Sequence, residues 1–155
     1  MMARLRKFVR LPAGEKRCFC RAVGLLVYYR LALLVIPLQR LLRNRPRLPA
    51  AIPSAMQVDP GRLAGLIKAA ATVVPGTTCL VNSLAGQRLF ARYGYPAKLH
   101  VGVAKDRQDG FQAHAWLTLA DKVVVGELPD MAKYRELPDL DGALANRPPM
   151  AAVKK

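Results

Sequence analysis

Two histidines, three cysteines and ten acidic residues are few for a chain of 155 residues, and each shortage closes off a class of function. Three cysteines, two of them in Cys18-Phe19-Cys20, cannot build the framework of a disulfide-stapled domain, and no signal-peptide pattern opens the chain. A reducing cytoplasm is the expected location, with a peripheral place at a membrane as the second. The Cys-x-Cys pair has no second ligand pair nearby, so no metal is expected. With neither a phosphate loop nor a glycine-rich nucleotide fingerprint, no cofactor is expected either. Aromatics make up 6% of the chain and rarely interleave with basic residues, and no nucleic-acid-binding motif occurs. A membrane span is also wanting: the apolar run Ala22–Leu38 is interrupted by Arg30 and broken by Pro37.

What is present is apolar and basic. A hydrophobic content of 52% argues for a packed domain, and the length suits one domain with an extension. Twelve of the 25 lysines and arginines, but only one acid, fall in the first 50 positions, so the net charge of +15 belongs mainly to the N-terminal part. Four segments result. Residues 1–47 read as a basic helical extension, an amphipathic helix lying on the body or a partner, with adsorption to an anionic membrane surface as a second reading. Residues 48–60, with Pro49, Pro53 and Pro60, form a linker. Residues 61–137 hold the core, and 138–155 a polar tail.

The core opens with Leu63, Leu66, Ile67, Ala70, Ala71 and Val74 at helical spacing, which predicts a helix over 61–74. Pro75-Gly76 then breaks the chain, and Thr77 and Thr78 are good N-caps for a second helix that runs to Tyr93 and stops at Gly94. Cys79 thus falls in its first turn. Unpaired backbone N–H groups and the positive end of the helix dipole favour a thiolate there, and the same donors could hold an oxyanion. A lone cysteine is more often simply buried. After Pro96, alternation of Leu99, Val101 and Val103 with His100 and Gly102 predicts a strand. Residues 112–119 form a second strand, with His114, Trp116 and Thr118 on one face, and a third runs from Lys122 to about Leu128 after a turn at Ala120-Asp121. Pairing Leu119 with Lys122 sets His114 opposite Glu127, which would complete a Cys–His–carboxylate set. A one-residue slip would put Gly126 or Leu128 there and make Asp130 the next carboxylate in reach. His100 has no such partner and is read as structural.

Cys79-Leu80-Val81-Asn82-Ser83-Leu84-Ala85, Arg92-Tyr93-Gly94-Tyr95-Pro96-Ala97, His100-Val101-Gly102-Val103, Ala113-His114-Ala115-Trp116-Leu117 and Val123-Val124-Val125-Gly126-Glu127 together resemble the transglutaminase-like cysteine peptidases of lasso-peptide biosynthesis, in particular the stand-alone leader-peptidase half of the split lasso B protein. The resemblance implies an α+β, papain/transglutaminase-like core, a helix bearing the cysteine packed on a small antiparallel sheet. It also implies cleavage of the leader from a ribosomally made lasso precursor, with Cys79 as nucleophile and His114 as base. A separate PqqD-like protein would bind the leader, and an asparagine-synthetase-like cyclase would close the ring. Related sequences often carry an aspartate after the strand where this chain has Gly126-Glu127, so a dyad without a carboxylate stays open. A reading from another class also stands: an interaction protein at a membrane or nucleic acid that uses the basic N-terminal segment and has an inert cysteine.

Overall fold

The computed structural model describes residues 12–44, 46–51, 58–106 and 110–137. The basic stretch 1–11, the middle of the linker and the tail 138–155 lie outside the described residues.

Among the described residues, four helices precede a four-stranded antiparallel sheet. Helix α1 (Ala13–Val35) follows Pro12 and ends where Ile36, forced to an extended φ of −111° by the proline after it, cannot continue the helix. Helix α2 (Leu38–Arg43) is a single short piece. Helix α3 (Pro60–Ala71) begins on Asp59, whose carboxylate accepts the Arg62 N–H at 3.0 Å, with proline at the first helical position. Helix α4 (Cys79–Arg92) begins on Thr78, whose hydroxyl accepts the Val81 N–H at 3.3 Å. It ends in a Schellman turn: Tyr95 N–H donates to Phe90 O, Gly94 N–H to Ala91 O, and Gly94 takes a φ of +80°.

The described part of the first segment, expected as a helix lying on the body or a partner, packs on the body. Cys18, Ala22, Leu26, Tyr29 and Ala32 form the inner face of α1 and lie in one core cluster with Leu63 and Ile67 of α3 and Leu84, Leu89 and Phe90 of α4. Glu15, the single acid of the first 50 residues, receives two hydrogen bonds from the Arg62 guanidinium at 2.9 and 2.8 Å. Those bonds tie the start of α1 to the start of α3 and hold the Glu15 carboxyl below its ordinary value.

In the sheet the order is β3-β2-β1-β4, built from β1 (Lys98–Asp106), β2 (Gly110–Leu119), β3 (Lys122–Val125) and β4 (Arg135–Glu136). Ala120 and Asp121 form the expected turn, both left-handed at φ 47° and 61°, which matches the strand twist of a type I′ hairpin. One face of the sheet carries α4. Gly86 of that helix lies so close to the strands that a Cβ there would come within 2.7 Å of Leu117 Cδ1. The other face carries His100, Trp116 and His114, and the chain between β3 and β4 passes over it, bringing Tyr134 against Gly102 and the His114 ring.

Candidate functional site

Cys79 is the first residue of α4 and is partly buried against the main core cluster. The helix satisfies its own third donor through Thr78 and its fourth, Asn82 N–H, through Thr78 O at 3.0 Å. The N–H groups of Cys79 and Leu80 are among the four that a helix start leaves without an intrahelical partner, and they belong to the residue that bears the thiol and to the one after it. The buried Oδ1 of Asn82 and Oγ of Ser83, one turn further along the same helix, have no hydrogen-bond partner among the described residues.

His114 is 9% exposed. Its ring lies between Trp116, at a centroid distance of 6.1 Å and nearly parallel, and Tyr134 at 5.3 Å. Nε2 sits 2.7 Å from the carbonyl oxygen of Gly126. A carbonyl only accepts, so Nε2 carries the proton, and in the neutral ring Nδ1 is left as the basic nitrogen. Gly126 is the residue this contact needs. Its φ is +84°, and a Cβ on it would lie 2.7 Å from Ala115 O. The thiol of Cys79 makes no hydrogen bond to His114 or to any other described residue. His114 leaves β2 on the face opposite Leu117, which packs on α4, but at a level where β3 has already ended, so this flank of β2 is not paired with β3.

The expected pairing of Glu127 with His114 is not the one found. Leu119 does pair with Lys122 and Thr118 with Val123, but a bulge between Leu117 and Thr118 makes Leu117 face Val125, and the ladder stops there. Strand β3 therefore ends at Val125, short of Leu128, and Glu127 is exposed with no hydrogen bond or ion pair among the described residues. Asp130 is also exposed, and its bond to Lys133, at 2.6 Å, lowers its carboxyl from the ordinary value.

A carboxylate does meet a histidine, but it is the other one. His100 Nδ1 bonds the Glu136 carboxylate, its Nε2 lies 2.7 Å from the Thr118 hydroxyl, and its ring stacks on Trp116 at 5.6 Å. His100, expected as structural and without a carboxylate, gains one from β4. Its two residues pair with Gly102 and Val103 and carry Glu136 alongside. A pocket of about 240 Å³ among α1, α2 and α4 is lined by Leu25, Tyr28, Tyr29, Leu41, Asn44 and Arg88, and contains neither Cys79 nor His114. No group of three or more histidine, cysteine or acidic side chains placed to hold a metal occurs among the described residues.

Comparison with curated proteins and with solved structures finds no match to either. Residues 23–139 match the family model described as the transglutaminase-like superfamily. The match begins inside α1, takes in Cys79, His114 and the whole sheet, and extends over most of the 155 residues. Helix, sheet and match agree, and the chain belongs to the transglutaminase-like superfamily.

Proposed function

We propose that the protein is a cysteine peptidase that removes the leader from a ribosomally synthesised lasso precursor, with Cys79 as nucleophile and His114 as base. The observation that carries the reading is the place of Cys79, first residue of a side-chain-capped helix within a transglutaminase-like domain, where helix-start N–H groups lack intrahelical partners.

In this reading the Cys79 thiol passes its proton to His114 Nδ1 and the thiolate attacks the scissile carbonyl, forming a C–S bond while the carbonyl π pair moves onto oxygen. The Cys79 and Leu80 N–H groups receive that oxyanion. Collapse of the tetrahedral species breaks the C–N bond as the imidazolium returns its proton to the leaving amine. Water then adds to the thioester, giving up a proton to Nδ1, and the thiolate departs. The Gly126 carbonyl holds Nε2–H throughout and so keeps Nδ1 as the nitrogen that exchanges protons. Thiol and imidazole are not hydrogen-bonded, and His114 leaves the face of β2 opposite the one that packs on α4, so in this reading their approach in the complex runs past the flank of β2 that β3 leaves unpaired. Leader recognition falls to the separate PqqD-like protein and ring closure to the asparagine-synthetase-like cyclase, with the set working in the cytoplasm.

The test is cleavage of a lasso precursor by the full chain with the leader-binding protein present, followed by mass spectrometry of the released leader. Cys79→Ala and His114→Ala should each abolish cleavage, and the double variant should cost little more, because residues that act as a unit are not additive. His100→Ala should cleave. Loss of cleavage in His100→Ala with retention in His114→Ala would transfer the base role to the histidine that holds the carboxylate.

A further inference from the structure

From the outer face of α1 we infer a docking surface for an anionic lipid bilayer, an assignment that does not depend on the peptidase reading. Val27, Tyr28, Leu31, Leu34 and Val35 are 40, 52, 56, 76 and 81% exposed. At 100° per residue these positions fall within an arc of about 120° on one side of the helix. The fully buried positions, Cys18, Ala22 and Leu26, lie on the opposite side. Exposure rises toward the C-terminal end of the helix, where Pro37 turns the chain into α2.

The surroundings of the stripe select its occupant. Arg17 is exposed on the same side of α1, about 15 Å before Val27, and Arg40 and Arg43 of α2 are exposed after Pro37. Glu15, the sole acid in the first 50 residues, is engaged by Arg62. An apolar strip in a basic segment whose one acid is already paired fits the boundary between acyl chains and anionic headgroups, with the tyrosine ring of Tyr28 suited to the polar edge. Residues 1–11 are a poor alternative occupant because Arg4, Arg6, Lys7 and Arg10 add to the same charge.

Spanning the bilayer is a different matter. The helix is 23 residues long with a mean hydropathy of 1.7 over its most apolar window, enough by length and composition to cross. Its inner face, however, is committed to the core shared with α3 and α4. A helix fixed along one side can lie on a membrane but cannot be surrounded by lipid.

The experiment is co-sedimentation of the full chain with vesicles of phosphatidylcholine alone and with vesicles that also contain phosphatidylglycerol. The chain should favour the anionic vesicles by at least about tenfold, less so as salt is raised. Leu31→Glu with Leu34→Glu should lower that partition by about tenfold or more. Arg40→Glu with Arg43→Glu should lower it by a similar factor and flatten the salt dependence. All four sites are exposed, and the only tryptophan, Trp116, is buried in the sheet, so an unchanged emission maximum certifies the fold of each variant. Equal binding to both vesicle types, or none, would overturn the assignment. So would leucine variants that bind as the parent does, since attraction would then be carried by charge alone. A concentration-dependent dimer dispersed by the leucine variants, without vesicle binding, would overturn it in favour of a second copy of the chain.

Discussion

Gly126→Ala probes the contact that fixes the candidate base, and a matched control separates its components. Gly126 and Gly110 both sit in the left-handed region, at φ +84° and +73°. Each alanine therefore meets the cost of placing a side chain there, about 1–2 kcal/mol. At Gly110 nothing lies within 4 Å of the added carbon, whereas at Gly126 it would stand 2.7 Å from Ala115 O. That oxygen is backbone in the middle of β2 and cannot swing away, so Gly126→Ala carries an overpacking cost of about 1–3 kcal/mol in addition. For a chain of this length one kcal/mol lowers the melting temperature by about 2–4 °C. Gly110→Ala should thus melt about 2–8 °C below the parent, and Gly126→Ala about 2–12 °C lower again. Displacing the carbonyl also removes the bond to His114 Nε2, worth about 0.5–1.5 kcal/mol, or about a two- to tenfold loss of cleavage well below the melting point. Thermal unfolding followed by circular dichroism, together with leader cleavage at low temperature, reads both effects. Equal melting of the two variants would refute the close approach. A destabilised Gly126→Ala that cleaves at the parent rate would refute the positioning role of the carbonyl.

Other expectations follow from single contacts. Glu127→Gln should leave cleavage within about twofold of the parent, because the side chain is exposed and unbonded; a hundredfold fall would restore it to the catalytic set. The bond from Arg62 depresses the folded value of Glu15, so its stabilising effect is complete above the ordinary carboxylate value of 4.5 and lost as pH falls through the depressed one. Glu15→Gln should flatten the acid limb of a melting-temperature profile, and parallel profiles would count against the clamp. Burial pushes the Cys18 thiol up, so Cys18 should alkylate far more slowly than the exposed Cys20 at neutral pH, read by peptide mapping. A chain starting at residue 61 should fail to melt cooperatively. Burial of Leu26 and Tyr29 alone contributes about 3–6 kcal/mol, a large part of a typical domain's 5–15.

Much of this architecture can be read from local chemistry. Asp59-Pro60, Thr78 and Gly94 mark helix ends by their capping groups, and the alternation around Val101 and Leu117 marks strands, so α3, α4, β1 and β2 are legible to within a few residues. The site is legible only in part. Val123-Val124-Val125 has no polar residue to show which valine is the extra one in the bulge, and the pairing of Glu127 with His114 depended on there being none. The acceptor at His114 is a main-chain carbonyl, which has no side chain to announce it. Glu136 reaches His100 through a two-residue strand on the far edge of the sheet, a pairing set by a crossover and not by propensity. The inner face of α1 is hidden for a different reason: its outer face is as apolar as its inner one, so periodicity does not say which side is packed.

The engagement of Glu15 by Arg62 has a preparative consequence. With its single acid paired to Arg62, the N-terminal third of the sequence carries twelve lysines and arginines and no free acid. Any polyanion in a cell extract, ribosomal RNA foremost by abundance, will condense on such a segment by releasing its counterions, whatever its sequence. Such binding falls steeply with salt, so an elevated ratio of absorbance at 260 to 280 nm in material purified at low ionic strength reflects charge density, and a high-salt wash before any binding or cleavage assay removes it.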